Sequence, residues 1–141
     1  MKTKPNQIFL PLTLMMKYVQ MCQEQGNALD WSKILDLEDR PCVSIIEVKA
    51  DNNEAEVLAH ARWGWNSDEI KFGTIHVEKP FRQQGIADTI MKIFIAIARF
   101  YDASKITGVI DGEDFLPGWY QKLGFTVYDD NKLLMDLSKP L

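Results

Sequence analysis

The hydrophobic pattern of this 141-residue chain changes its period near residue 80, and this change constrains the fold more than any other feature. Between Val57 and Trp63, residues alternate with a period of two, which predicts a strand buried on one side. From Ile86 to Tyr101, apolar residues recur three and four positions apart, and neighbours such as Met91 widen the stripe. This second period predicts a long helix with most of its circumference buried.

Two further predicted strands flank the one at 57–63. Residues 43–49 are rich in β-branched side chains, and residues 70–77 follow a short polar connection. Short connections cannot join parallel neighbours, so these three strands are predicted to form an antiparallel meander. Ile106 to Ile110 is a short apolar strand beyond the long helix, which predicts a βαβ crossover.

Both ends of the chain also carry predicted elements. A helix is expected around residues 14–22, and Asp30 is expected to cap a short helix through Trp31. Residues 115–123 predict another helix, and the segments 125–128 and 133–137 predict a closing hairpin. Whether Gln7 to Leu10 supply an opening strand is left open. We therefore predict one domain over residues 1–141, of the α+β class, with a mixed sheet that is antiparallel early and parallel across the crossover.

Composition excludes several classes of protein. The chain is 46% hydrophobic and carries a formal net charge of −4, so it can bury a core and shows no basic footprint for nucleic acid. No apolar run approaches the roughly 20 residues that span a bilayer, and no secretory signal is evident, so we expect a cytoplasmic protein without membrane contact. Cys22 and Cys42 are expected to be buried thiols, and the spacing of cysteines and histidines does not fit a zinc site.

Residues 82–87, Arg-Gln-Gln-Gly-Ile-Ala, lie between the strand that ends at Val77 and the long helix. A strand, a tight turn and a helix N-terminus together suit an anion, because the first helical N–H groups have no partner within the helix and the dipole is positive there. Gly85 allows close backbone approach, Ala87 leaves room, and Arg82 adds a cationic donor. The same residues also suit a plain turn that caps a helix. They match neither the nucleotide P-loop nor the dinucleotide fingerprint.

A second motif follows at residues 119–125, Trp-Tyr-Gln-Lys-Leu-Gly-Phe. Together the two motifs resemble the GCN5-related N-acetyltransferase family, over roughly residues 43 to 137. That family has a strand ending near a valine, then [Q/R]-x-x-G-x-[G/A] and a long helix, and later a helix ending in aromatic-Tyr-x-x-x-Gly-Phe. Val77 to Ala87 matches the first part and residues 119–125 match the second. Trp119 and Phe125 also suit simple core positions.

The resemblance implies acetyl-coenzyme A (acetyl-CoA) as a co-substrate, and the spacing of cysteines and histidines predicts no metal. Backbone groups near Val77 would pair with the pantetheine arm in a gap between splayed strands. The pyrophosphate would lie against Arg82 and the amides of Gln83, Gln84, Gly85, Ile86, Ala87 and Asp88. The Asp88 carboxylate suits the helix dipole but would repel a pyrophosphate if it turned inward, so we expect it to face solvent. Acceptor specificity in such folds usually comes from the N-terminal region and from the loop at 63–68.

The resemblance assigns Tyr120 the role of proton donor to the departing thiolate. A phenol ionises near pH 10, so it is protonated at neutral pH and can give up its proton as the sulfur gains charge. The attacking amine must itself lose a proton. His76 and Glu78 are candidate bases, and both flank Val77 on the opposite face of a regular strand. Loss of the proton to water is equally acceptable.

Three hypotheses of function follow. The first is an enzyme that transfers an acetyl group from acetyl-CoA to a primary amine of a small molecule or peptide. The second is a non-catalytic acyl-CoA-binding domain that senses or regulates. The third is an interaction domain in which the turn and Tyr120 are only structural. Whether the chain forms a homodimer is left open.

Overall fold

The computed structural model describes residues 7–25, 29–35, 45–110, 115 and 117–137. The strands, in chain order, are β1 Gln7–Pro11, β2 Ile45–Ala50, β3 Asn53–Asn66, β4 Glu69–Val77, β5 Lys105–Val109, β6 Thr126–Tyr128 and β7 Lys132–Asp136. The α-helices are α1 Leu12–Gln25, α2 Trp31–Ile34, α3 Ile86–Phe100 and α4 Pro117–Lys122. A short 3-10 helix, Lys79–Phe81, follows β4.

The strands form one sheet in the order β1-β2-β3-β4-β5-β7-β6. The pairs β1/β2 and β4/β5 are parallel, and the other pairs are antiparallel. The predicted meander, crossover and closing hairpin are therefore confirmed, and the fold is α+β. Gln7 to Leu10, which the sequence left open, form most of β1, the edge strand beside β2.

Helix α3 covers the sheet with its apolar residues. Six of its residues have no solvent exposure: Ile90, Met91, Ile93, Phe94, Ile97 and Ala98. The indole of Trp63 on β3 packs against Phe94, with ring centroids 4.5 Å apart. Burying a side chain of this size stabilises the fold by about 1.5–3 kcal/mol. The predicted long helix is thus confirmed, and it forms the centre of the core.

Strand β4 changes the parity of its buried residues at Gly73. The buried residues are even-numbered before this glycine and odd-numbered after it: Ile70 and Phe72, then Ile75 and Val77. On β3, Trp63 pairs with Phe72, and the adjacent Arg62 pairs with Thr74, so Gly73 is the extra residue of a β-bulge. A Cβ at Gly73 would lie 3.2 Å from the Arg62 carbonyl oxygen, which favours glycine there. The predicted strand at 70–77 is therefore not regular.

Beyond the bulge, β4 and β5 separate. They pair from Glu69–Lys105 to Phe72–Gly108. At that last pair a Cβ on Gly108 would lie 3.2 Å from the Phe72 carbonyl oxygen, so the strands are in close contact. Strand β5 then continues along β7, and within the described chain residues 73–77 face no strand on the β5 side. We call this gap between residues 73–77 and β5 the slot. It is the splay that the resemblance implied.

Two expectations about connections were wrong. Residues 63–66 belong to β3 instead of a loop, because Trp63 and Trp65 continue the alternation and only Ser67 and Asp68 form the turn. Asp30 does precede α2, but its side chain makes no capping hydrogen bond. Its carbonyl instead accepts the first backbone hydrogen bonds of that short helix.

The cysteine prediction is confirmed where it can be followed. Cys22 is a buried free thiol on α1, and burial raises its pKa. Cys42 lies outside the described residues. Among the described helices, none is long and apolar enough to cross a bilayer. No group of three or more His, Cys, Asp or Glu side chains suited to a metal occurs in the part of the chain that the structure describes.

Candidate functional site

The edge of β4 presents backbone donors to the slot. The Glu78 amide donates to the Leu58 carbonyl on β3 at 2.8 Å. Because N–H groups alternate sides along a strand, the amides of Val77 and Ile75 point the other way, toward the slot. The Val77 carbonyl on this side accepts a hydrogen bond from Arg82 Nε at 2.9 Å. At Val77 the backbone amide therefore faces the slot, as the predicted pairing requires. The backbone carbonyl of Val77 is instead hydrogen-bonded to Arg82.

The turn between β4 and α3 orients several amides in one direction. Gln83 and Gly85 both have left-handed backbone, with φ of 63° and 84°. Such alternation turns successive N–H groups into a concave anion-binding arrangement. The first backbone hydrogen bond into the helix runs from Thr89 to the Gly85 carbonyl, at 3.1 Å. The amides of Ile86, Ala87 and Asp88 therefore precede the helical ladder, at the positive end of the dipole.

Gly85 is required by the fold itself. A Cβ there would lie 3.1 Å from Val19 Cγ1 on α1, and the φ of 84° disfavours any side chain. The sequence analysis attributed this glycine to close approach of an anion. The structure adds a second reason: a side chain at this position would point into Val19 on α1, a contact between residues far apart in sequence.

The remaining residues of the turn brace it locally. The side-chain amide of Gln84 donates to the Pro80 carbonyl at 3.3 Å. The Phe81 amide donates to the Glu78 carbonyl at 2.9 Å, and the Arg82 amide donates to the Lys79 carbonyl at 3.3 Å. The turn is thus shaped by contacts within a few residues, independent of any bound anion.

Tyr120 lies at the closed end of the slot. Its side chain is 4% exposed, and its ring lies 6.4 Å from that of Phe72, the last β4 residue that pairs with β5. Helix α4 ends after it in a tight turn, where the Phe125 amide bonds to the Tyr120 carbonyl at 3.1 Å and Gly124 has φ 107°. The two motifs therefore lie at opposite ends of one gap: the turn at the end of β4, and Tyr120 where the strands part.

Asp88 joins the two motifs directly. Its Oδ1 accepts a hydrogen bond from Trp119 Nε1 at 2.6 Å. The Trp119 ring also stacks on Phe115, with centroids 4.2 Å apart and an interplanar angle of 26°. Asp88 is at the surface, as expected, but its carboxylate is held by an indole. The sequence analysis treated Trp119 as core filling, and no local signal marks this pairing across 31 residues.

His76 and Glu78 lie together but away from Tyr120. His76 Nε2 and Glu78 Oε2 are 2.9 Å apart. His76 lies on the side of the sheet opposite the buried Ile75 and Val77. His76 is four residues beyond Phe72 on β4, about 13 Å of extended chain. The structure therefore does not bring these two candidate bases to the closed end of the slot.

A second histidine, which the sequence analysis did not single out, faces His76. His60 on β3 is its direct cross-strand neighbour, with ring centroids 5.8 Å apart. Burial lowers the pKa of His60 first, and the positive charge of Arg62 and the neighbouring His76 lower it further. The pair could have been predicted from the register of the hairpin, because both residues occupy outward positions.

No protein-family model matches the sequence, and no curated protein matches it. Solved structures resemble the fold. Ard1 from Thermoplasma volcanium gives a TM-score of 0.56 at 16% identity, covering 86% of this chain and 92% of that one. An acetyltransferase from Bacillus cereus gives 0.56 at 15% identity, covering 85% and 89%. PaiA N-acetyltransferase from Thermoplasma acidophilum, solved with coenzyme A, gives 0.54 at 9% identity, covering 86% and 94%. At these identities the likeness is one of fold: the chain has the fold of the GCN5-related N-acetyltransferases.

Proposed function

We propose that this protein transfers an acetyl group from acetyl-CoA to a primary amine of a small molecule or peptide. The observation that carries the proposal is the slot, which has a turn with the backbone conformation that suits an anion at one end and a buried tyrosine at the other. An elongated substrate with a charged end and a reactive end matches that arrangement. The fold shared with acetyltransferases supports it.

The binding step uses backbone groups. The amides of the turn and of Ile86 to Asp88 would hold the pyrophosphate, and Arg82 would add positive charge beside it. Residues 73–77 provide about 16 Å of strand edge, along which the pantetheine amides can pair. The Ile75 and Val77 amides are the donors on that edge. The residues present therefore fit coenzyme A as a co-substrate.

The chemical step needs few side chains. The amine nitrogen attacks the thioester carbonyl carbon, the carbon–sulfur bond breaks, and the Tyr120 hydroxyl gives its proton to the sulfur that leaves. A backbone amide on the edge of β4 can polarise the carbonyl. Orientation of the amine against the thioester supplies the rest. No covalent enzyme intermediate is needed.

The amine proton is proposed to leave through water. His76 is about 13 Å along the strand from Phe72, the residue that contacts Tyr120, and Glu78 is two residues farther, too far for direct transfer from an amine held there.

The alternative is a non-catalytic domain that binds acyl-CoA as a sensor. A sensor requires only the turn and the strand edge of the slot. Nothing in the alternative requires the tyrosine at the closed end.

Two measurements on the wild-type protein separate these functions. Calorimetry with coenzyme A tests binding, which both hypotheses require. A panel of primary amines, assayed for free thiol release from acetyl-CoA, tests turnover. Binding with amine-dependent thiol release supports the enzyme, binding without release for every amine supports the sensor, and absence of binding rejects both.

A further inference from the structure

The hydrogen bond between Asp88 and Trp119 connects the two ends of the proposed site. Asp88 belongs to the first turn of α3, and its amide is among those proposed to hold the pyrophosphate. Trp119 directly precedes Tyr120 on α4. The bond is short, 2.6 Å from Nε1 to Oδ1, and its acceptor is charged, which makes it one of the stronger kinds in a protein.

Helix α4 depends on such contacts for its orientation. It has six residues, and a helix of this length is not stable by itself. Trp119 is held on three sides: by Asp88, by the stacked ring of Phe115, and by the edge of Tyr120 at 4.9 Å and 77°. Because Trp119 and Tyr120 are adjacent in one short helix, a rotation of the first displaces the second.

The same bond controls the direction of a charge. A carboxylate in the first turn of α3 would repel a pyrophosphate at close range. The indole N–H binds this carboxylate and so directs it toward α4.

We propose that Asp88 is a positioning residue that acts through Trp119. Its carboxylate fixes α4 so that Tyr120 faces the slot, and the bond simultaneously keeps the Asp88 charge away from the anion site. This inference rests on the proposed acetyl transfer. It predicts that the acceptor oxygen and the charge of Asp88 have separable effects, the first on kcat and the second on coenzyme affinity.

Three variants separate these effects. Asp88→Asn keeps an acceptor oxygen and loses the charge, so kcat stays within about threefold of wild type and the Kd for coenzyme A does not rise. Asp88→Ala loses both, so kcat falls about tenfold or more while the Kd does not rise. Trp119→Phe loses the donor and leaves the carboxylate unrestrained, so kcat falls about tenfold and the Kd rises about fivefold.

Glu56→Gln is the matched control, since it removes one negative charge from an exposed position on β3. It leaves both constants unchanged. Calorimetry with coenzyme A gives the Kd, and thiol release at saturating amine gives kcat. The proposal is overturned if Asp88→Ala and Trp119→Phe keep wild-type kcat, or if Asp88→Asn falls as far as Asp88→Ala.

A readout that does not need activity keeps the contact testable if acetyl transfer itself fails. In protein labelled with 5-fluorotryptophan, the ¹⁹F resonance of Trp119 is the one missing from Trp119→Phe. It should shift in Asp88→Ala and keep its position in Asp88→Asn. Wild-type protein that releases no thiol with any amine rejects the enzyme, whereas an unmoved resonance in Asp88→Ala rejects the contact.

Discussion

The turn after β4 and helix α4 lie at opposite ends of the slot and are held in place in different ways. In the turn, Arg82 bonds to Val77 and Gln84 bonds to Pro80, all within a few residues. In α4, the side chains that fix Trp119 and Tyr120 include Asp88 and Phe72, which are distant in sequence. The hydrogen bonds of the proposed binding end are therefore local, with the packing of Gly85 against Val19 as its long-range contact, and the proposed chemical end depends on tertiary contacts.

The largest expected effect tests the turn, through Gly85→Ala. The φ of 84° and the 3.1 Å approach to Val19 Cγ1 should together lower the free energy of unfolding by about 3 kcal/mol. Urea denaturation measures the loss. Gly118→Ala in α4 is the matched control: nothing lies within 4 Å of its added Cβ, so helix propensity should stabilise the protein by up to about 1 kcal/mol. Equal effects at the two glycines would contradict the comparison.

The next effect tests whether α4 serves chemistry and not binding. Tyr120→Phe keeps the buried ring and removes the hydroxyl, so kcat should fall about 100-fold while the Kd for coenzyme A changes little. Thiol release and calorimetry measure the two constants separately. A Phe variant with full kcat would remove Tyr120 from the mechanism.

The opposite pattern is expected at the turn, through Ala87→Glu. A carboxylate in the first turn of α3 suits the helix dipole, so the fold should persist, but it would repel the pyrophosphate and raise the Kd for coenzyme A about 30-fold. Calorimetry measures the affinity, and circular dichroism checks the fold. Ala55→Glu adds the same charge to an exposed position on β3 and should leave the Kd unchanged. Unchanged affinity in Ala87→Glu would place the anion elsewhere.

A small effect is expected at His76, which belongs to neither end of the slot. His76→Gln should change kcat by less than about threefold, because a general base in direct contact with the amine contributes at least about 100-fold. The pH profile of kcat for the variant should match that of the wild type. A loss as large as that of Tyr120→Phe would restore His76 as a direct base.

The smallest effect concerns stability at low pH. Folding holds the pKa of His60 below its ordinary value, mainly through burial and then through Arg62 and His76, and the opposing charges of Glu47 and Glu78 do not offset this. The unfolded chain therefore takes up this proton first. The stability that neutral His60 contributes is complete above about pH 6.5 and is lost as the pH falls below that value. Urea unfolding from pH 7.5 to 5 should show a weaker pH dependence in His60→Gln, and an unaltered dependence would contradict the assignment.

Periodic patterns allowed most of the fold to be predicted. The meander and α3 follow from periods of two and 3.6, and the family resemblance of the two motifs implied the slot. The sequence could not reveal the contacts between Gly85 and Val19 or between Asp88 and Trp119. Each joins residues on separate elements, and neither glycine nor aspartate in a first helical turn indicates which distant residue it will meet. For Gly85 and Asp88, the sequence therefore indicated the backbone conformation and the charge but not the distant residue that each contacts.

The slot depends on one extra residue in β4, Gly73. At Gly73 the buried positions of β4 change from even to odd, so the strand carries two registers joined by one glycine. Loss of that one codon would remove the bulge and leave a regular alternation, with Thr74 and His76 outward and Ile75 and Val77 still buried. Strand β4 could then continue alongside β5, which removes the gap. A deletion of Gly73 should therefore cost the protein its coenzyme A binding in calorimetry, and an opening suited to a substrate is, in genetic terms, a three-nucleotide trait.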